Sequence, residues 1–509
     1  MAQAAPPQME GRIDVSKYSP PDIITRDVCI IGGGPAGTHA AIRLRQHNKS
    51  VVVLEKQDRL GGQTNTYIDP ESGRAVDYGV TYFQNLSSVR EMFEHFEIPL
   101  TKAVFDYKMH MFDFRTGTPV QDSSKAEMAA FTEKYMAQLA KYPYLKTGFD
   151  LPDPVPEDLL LPFGEFVQKY DMMPAVGQMG AWINALGDWQ TMPTLYIMKY
   201  MCADTMNGVK TGFVRPADHN NSAIYDAARK ELGEDALLNS RVVQMDRDDT
   251  KGWVYMEVQS GSQTRLIRAK KIIVAFPPHL DNFGGFDVSP KEKELFSQFQ
   301  HIYFYPALVR IQGIPDNICY INRGADHPFL RPQLPGILMM RTSDVQGLCT
   351  VHFSSRFPVS EEQVKAGIVK GISSIRETQG IDGTDLEFVR LANHSPYQMT
   401  VSADAIAHGF YQELNALQGE RHTYYTGATF DSHNTPQIWN FTEQLLQEQI
   451  LKSLDVTDDG YLAGDSNTGT IWIHVDFCIV RNPVPGCLNI LAATVTLLYI
   501  KGEDGKPRM

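Results

Sequence analysis

The stretch from Asp27 to Glu55, DVCIIGGGPAGTHAAIRLRQHNKSVVVLE, constrains the fold of this chain more than any other. Val28 to Ile31 is a short apolar run rich in β-branched residues, as in a buried strand. Gly32 to Gly37 then forms a G-x-G-x-x-G turn. From Pro35 the small and apolar residues Ala36, Ala40, Ala41 and Leu44 suit a helix packed close on a sheet. Val51 to Leu54 is a second buried strand, closed by Glu55, which lies 18 residues past Gly37. Glycines let the backbone approach a pyrophosphate, and the helix N-terminus faces its charge. An acid at this distance can accept a hydrogen bond from a ribose 2′-hydroxyl. Strand, turn, helix, strand and acid in this order imply a Rossmann-type dinucleotide site. A glycine-rich turn with no ligand leaves Glu55 unexplained.

The following residues say which dinucleotide. Asp58-Arg59-Leu60-Gly61-Gly62-Gln63-Thr64 puts an arginine and a second glycine pair directly after the acid, which a nicotinamide-binding unit does not need. The segment from Asp27 to Thr64 resembles the superfamily of flavin-containing amine oxidases and phytoene desaturases. In that family the arginine and glycine pair lie along the pyrophosphate and ribityl chain of FAD. The resemblance implies FAD held by Gly32, Gly34, Pro35, Ala36, Gly37, Glu55, Lys56, Arg59, Gly61, Gly62 and Gln63. It extends to Ala75–Phe83, which places Gly79 and Tyr82 near the isoalloxazine, although Tyr82 also reads as an ordinary strand aromatic. It extends to a strand over 237–246, which passes the adenine through backbone groups at Val243, and to the return strand Lys271–Pro278. The last match is His422–Phe430 followed by a closing helix over 436–454, which implies flavin contacts at Gly427 and Ala428. Family members with covalent flavin carry a cysteine in this segment. Tyr424–Phe430 has none, so the FAD is expected to be non-covalent.

The implied fold class is α/β: a Rossmann-type FAD-binding domain, a parallel sheet plus a β-meander, interleaved with an α+β substrate domain. The expected division is a flexible N-terminal arm at 1–26, an FAD-binding domain from 27–87, 220–285 and 395–454, a substrate domain from 88–219 and 286–394, and a C-terminal extension at 455–509. A length of 509 residues accommodates two or three cores.

Net charge is −13, which argues against nucleic acid or an anionic membrane surface as partner. The six cysteines form no C-x-x-C pair and no metal-ligand spacing, so no metal is expected. Their sparse use suits a reducing, cytoplasmic location. The first residues have no basic start followed by an apolar core, unlike a secretory signal. No run reaches the roughly 20 apolar residues of a membrane span. Oligomeric state is left open.

Between these landmarks the pattern predicts helices over 124–139, with Ser124 as N-cap, and over 223–232, with Ser222 as N-cap and Gly233 as stop. Trp253–Val258 and Thr264–Ala269 alternate like a hairpin. Ser289-Pro290 and Ser360–Gln363 have capping-box spacing. Met and aromatic residues crowd 172–206; they form either core or the lining of an apolar pocket. His394, His408, His422 and His433 are too scattered for a metal set. Leu488–Ile500 is apolar, but too short to span a bilayer.

A flavin supplies redox chemistry while the protein places the substrate. The resemblance implies removal of hydride from a C–N or C–C bond of a largely apolar small molecule. Arg59–Tyr67, Asp77-Tyr-Gly-Val and Tyr424-Tyr-Thr-Gly-Ala are similar to fungal flavoproteins of the β-cyclopiazonate dehydrogenase type, which points to specialised metabolism. They are also similar to bacterial polyenoic fatty acid isomerases, which implies redox-neutral movement of a double bond. A flavoprotein that binds FAD without catalysis is a third reading. Tyr82, Tyr425 and His433 are the candidates for catalysis.

Overall fold

The computed structural model describes residues 13–104, 107–247, 252–381 and 385–455, and the backbone of 500–501 and 507–508. Contacts gather 1–458 into one compact unit and 459–509 into a second. In the second, Ile500–Lys501 pairs antiparallel with Pro507–Arg508. The apolar run from Leu488 lies outside the described residues up to Ile500, as do residues 1–12 of the N-terminal arm.

The first strand spans Ile23–Ile31, starting earlier than the apolar run suggests. Ile23–Arg26 pair with Leu266–Ala269, so the end of the expected arm is already sheet. Val28–Ile30 and Val51–Val53 are wholly buried. A parallel strand covered by helices on both faces reads as an unbroken apolar run for this reason. Seven strands form this sheet, in the order Ser240–Asp246, Val254–Ser260, Gln263–Val274, Ile23–Ile31, Val51–Leu54 and Ala236–Leu237, with Thr423–Tyr425 added to Gln263–Val274. The pairs on either side of Ile23–Ile31 are parallel, and the Ser240–Val274 segment is an antiparallel meander. Gln263–Val274 is one strand where the sequence suggested two pieces: its first half closes the hairpin and its second half carries Thr423–Tyr425.

The helix Pro35–Gln46 covers this sheet and is clamped by the helix Thr435–Leu445. Trp439 donates its indole N–H to the Pro35 carbonyl at 3.1 Å and stacks on His39. The closing helix starts at Thr435, with Asn434 as N-cap and Pro436 in the first turn, where a missing N–H costs no helical bond.

A second sheet has eight strands, and its centre runs Gln300–Ile311, Leu348–Ser355, Gly336–Thr342, Ile318–Asn322 and Lys108–Asp113. Alternation sends Tyr305, Ala307 and Val309 to one face, against Val364, Ile368, Ile372 and Ile375 of the helix Glu361–Gln379. That helix has the expected capping box at Ser360 and ends at Gly380, φ +62°. Phe304 and Leu338 point to the other face and pack with Tyr397.

The helices of 125–211 form a large shared core. Ser124 caps Lys125–Leu139 through a full capping box. Ser222 occupies the N-cap position of Ala223–Leu232 but makes no cap bond with its side chain; its own N–H donates to Asn220 Oδ1 instead. Most of the Met and aromatic crowd is core: Met172, Met179, Trp189, Tyr196, Met198 and Met206 are buried. Among the described residues no helix is long and apolar enough to cross a membrane.

Candidate active site

A cavity of about 1180 Å³ opens at the C-terminal ends of the parallel strands, at Ile31–Gly32, Leu54–Glu55, Ala275 and Thr426. Open α/β sheets bind ligands at this edge. Its far wall comes from the second sheet and the helical layer: Phe304, Leu338, His352, Trp182 and Tyr200. The volume exceeds the roughly 300–1,000 Å³ usual for one small-molecule site. There is room for a dinucleotide and a substrate together.

At the near end, Gly34 and Gly62 face each other across the wall. A Cβ on Gly34 would meet nothing closer than the Gly62 Cα at 3.8 Å, so the backbone itself is the surface there. Pro35 and Ala36 open the helix N-terminus onto the same space. The first N–H groups of a helix have no intrahelical acceptor, so they suit an anion. Glu55 is buried, and its carboxylate accepts the N–H of Gly33 at 2.7 Å and of Gln57 at 2.8 Å. A carboxylate has about four acceptor positions, which leaves two for a ribose diol. Val243 sits at a bulge: the ladder pairs Val242 with Val258 and Gln244 with Glu257 and skips Val243. The bulge turns Val243 backbone groups out of the ladder at the cavity wall. Arg59 donates to the carbonyls of Leu60, Gly62 and Thr64, so it shapes the second glycine turn while bringing positive charge to the wall. An open glycine cradle, a helix N-terminus, a half-used carboxylate and a bulged strand fit the pyrophosphate, ribose and adenine of FAD.

The structure gathers Gly32, Gly34, Pro35, Ala36, Glu55, Lys56, Arg59, Gly62, Gln63, Gly79, Val243, Gly427 and Ala428 on this one wall. Gly37 and Gly61 stand behind it. A Cβ on Gly37 would fall 1.9 Å from the Gly32 carbonyl oxygen, and one on Gly61 would fall 3.0 Å from the Tyr225 ring. Both glycines allow close packing of the turns.

Tyr82 and His433 line the far part of the cavity; Tyr425 does not. The Tyr425 hydroxyl donates to Glu292 and lies 3.5 Å from Arg247, inside a buried ion cluster that ties Asp287 and Glu292 to the sheet. It is a core residue. Trp439, bonded to Pro35, is likewise core and not a wall of the site.

The far end joins the candidate His433 to two residues that sequence reasoning missed. His352 and His394 stand there with His433, and burial pushes all three rings down to about 3, so they are neutral. Phe304 packs between His352 and His394 and stacks on Tyr397, which in turn packs on His433 with ring centroids 4.0 Å apart. His394 Nε2 is 2.8 Å from Asn65 Oδ1. Burial raises the Tyr82, Tyr200 and Tyr397 phenols, which therefore stay protonated. The charged residues of the wall, Glu55, Lys56, Arg59, Arg241 and Asp281, belong to the near end or the adjoining Asp281–Phe286 segment.

Residues 30–96 match the model of an NAD(P)-binding Rossmann-like domain. The chain is 38% identical over 456 residues to the FAD-dependent oxidoreductase oblC of Cochliobolus heterostrophus, covering 87% of this chain and 94% of that one. It is 33% identical over 435 residues to the β-cyclopiazonate dehydrogenase of Aspergillus flavus, covering 84% and 94%. Among solved structures it resembles a fatty acid isomerase from P. acnes that produces CLA, with a TM-score of 0.69 at 19% identity, over 83% of this chain and 98% of that one. Together with the dinucleotide cradle, these similarities identify an enzyme: the chain belongs to the family of FAD-dependent oxidoreductases that includes β-cyclopiazonate dehydrogenase, and it has the amine-oxidase-like fold.

Proposed function

We propose that this enzyme oxidises a C–N or C–C bond of a neutral, largely apolar small molecule in specialised metabolism. The observation that supports this most is the lack of charge at the far end of the cavity. Among the described residues there, Trp182, Tyr200, Phe304, Leu338 and Tyr397 supply apolar surface, and the three histidines are uncharged. An ammonium or carboxylate entering without a counter-charge would lose its hydration for no return. Similarity to β-cyclopiazonate dehydrogenase supports a specialised metabolite.

Bound FAD supplies the redox chemistry by taking up the electron pair that leaves the substrate bond. Glu55 would hold its ribose, the Gly34–Gly62 cradle and the N-terminus of the Pro35–Gln46 helix its pyrophosphate, and the Val243 backbone its adenine. The Thr435–Leu445 helix opens its N-terminus onto the cavity beside Gly427–Ala428. Its unpaired N–H groups and dipole stabilise negative charge there. Trp182, Tyr200 and Phe304 exclude water and orient the substrate. Tyr82, kept protonated by burial, acts as a neutral hydroxyl rather than a base. In the same reading 27–87, 220–285 and 395–454 form the nucleotide half, and 88–219 with 286–394 the substrate half. The FAD is non-covalent: the described cysteines 29, 202, 319 and 349 are buried and free, and none lines the cavity.

Redox-neutral isomerisation of an unsaturated fatty acid or polyene is the second reading, favoured by the fold shared with the fatty acid isomerase. A fatty acid needs a cation for its carboxylate. Arg341 is the candidate: it does not line the cavity, but its charge acts on Tyr82 and His352, and its guanidinium lies over the Tyr107 ring at 5.4 Å.

The test is anaerobic addition of neutral, acidic and basic fractions of a metabolite extract from the source organism. Neutral material should bleach the flavin spectrum, and the bleaching should last. Bleaching that reverses without oxygen would establish the isomerase. A response to the acidic or basic fraction alone would overturn the neutral-substrate reading.

A further inference from the structure

We infer that His433 is a fixed hydrogen-bond donor to the substrate, presenting its Nδ1–H to a carbonyl or other neutral oxygen at the far end of the cavity. The inference rests on the reading above that this end takes a neutral molecule. His433 lies between the turn at Ala428–Phe430 and the helix Thr435–Leu445 and lines the cavity. Two contacts fix that ring. Tyr397 packs on its face. The backbone N–H of Gln398 donates to His433 Nε2 at 2.9 Å. A nitrogen that accepts an N–H carries no proton, so a neutral ring must carry its proton on Nδ1. Burial keeps the ring neutral.

The backbone is shaped for this bond. Gln398 has φ +50°, a left-handed conformation that side-chain-bearing residues seldom adopt. It sits in the short strand Tyr397–Thr400, whose pairing to Gln300–Ile311 registers Gln300 with Thr400 and Ile302 with Tyr397 and passes over Gln398. The Gln398 N–H is thereby turned from the ladder to the imidazole. Strain of this kind collects at functional sites. With Nε2 occupied and the proton fixed on Nδ1, the ring cannot shuttle protons at ordinary pH. It can polarise an acceptor next to the bond being oxidised, and it selects for molecules that carry one.

Two measurements test this. Nitrogen-15 NMR of histidine-labelled holoenzyme, with the His433 signal assigned by its loss in His433→Gln, should show a proton on Nδ1 and none on Nε2. A proton on Nε2 or on both overturns the inference and leaves the neutral-cavity reading standing. Binding of 9-fluorenone and fluorene, alike in shape except for the carbonyl, should then differ by about five- to tenfold in favour of the ketone, the usual size of one hydrogen bond. His433→Asn keeps an N–H near the Nδ1 position and should retain the preference. His433→Gln keeps an acceptor near Nε2 for the Gln398 N–H but loses the donor, and should bind both compounds equally. A purely structural histidine would give the reverse order, with Gln tolerated and Asn damaging. Equal binding by the wild type overturns the inference alone; no binding of either compound overturns both it and the reading it rests on.

Discussion

The two ends of the cavity are built in opposite ways. The nucleotide end is mostly backbone: glycine turns, a helix N-terminus and a bulged strand, with Glu55 as its one buried acid. Most of it comes from two short stretches, 32–36 and 54–63, joined by one helix and one strand. The substrate end is side chain, drawn from Trp182, Tyr200, Phe304, His352, His394 and His433 on the helical layer, the second sheet and two loops. One end is shaped for a fixed chemical group, the dinucleotide of FAD. The other recognises a shape and can change residue by residue without disturbing the first. If this contrast holds, damage to one end should leave the other working.

The largest effect should come from filling the cradle. Gly34 has an ordinary extended backbone, φ −72° and ψ −172°, and faces open space. Gly34→Val should therefore fold but occupy the pyrophosphate space, lowering FAD affinity more than ~100-fold, about 3 kcal/mol. Colourless protein with an unchanged far-ultraviolet circular dichroism spectrum would match; a protein that keeps its flavin would break the contrast.

The substrate end should show itself in acid. His352, His394 and His433 have folded pKa values of about 3, below the unfolded value near 6.5. Their contribution to stability is complete above about pH 6.5 and is lost as pH falls toward 3, because the unfolded chain takes up protons that the folded rings refuse. Each ring adds about 1.4 kcal/mol per pH unit to the slope inside that window. Denaturant midpoints measured from pH 7 to 5 should fall steeply. His352→Phe, which removes a ring whose Nε2 has no partner, should make the fall shallower by about one ring's share. An unchanged slope would mean that His352 titrates normally.

A moderate effect is expected at Glu55. Glu55→Ala removes the ribose acceptor and also the acceptor for Gly33 and Gln57. FAD retention, read by the fluorescence of released flavin, should weaken by about 1–3 kcal/mol.

The smallest effect should be at Arg341. For a neutral substrate, Arg341→Met should change KM less than about twofold, within the range of a surface charge that pairs with nothing on the ligand. A tenfold or larger rise in KM with kcat kept would sharpen the picture toward a carboxylate substrate and the isomerase.

The same contrast explains what the sequence made legible. The nucleotide end is contiguous, and each part has a local signature: periodicity for the strands, glycines for the turns, an acid at a set distance. Even the bulge residue Val243 was reachable, through the resemblance. The role of Gly37 and Gly61 was not, because packing on Gly32 and on Tyr225 depends on partners outside the motif. Of the histidines at the substrate end only His433, just before the closing helix, was a candidate; His352 and His394 carry no local signal. His394 and His433 read as scattered loop residues, and only the crossing of Tyr397–Thr400 against Gln300–Ile311 brings them together. Tyr425 failed as a candidate for the mirror reason: it lies beside the predicted flavin segment, but strand alternation turns its hydroxyl to Glu292.

A crystal structure of the flavin-loaded enzyme tests the central claim most directly. Adenosine should lie between Glu55 and the Val243 bulge, pyrophosphate on the Gly34–Gly62 cradle, and the flavin ring between Gly79 and Gly427–Ala428, with the N-terminus of Thr435–Leu445 directed at it and the histidine-lined end left for substrate. A flavin ring lodged among His352, His394 and His433, or a dinucleotide running in the opposite direction, would contradict it.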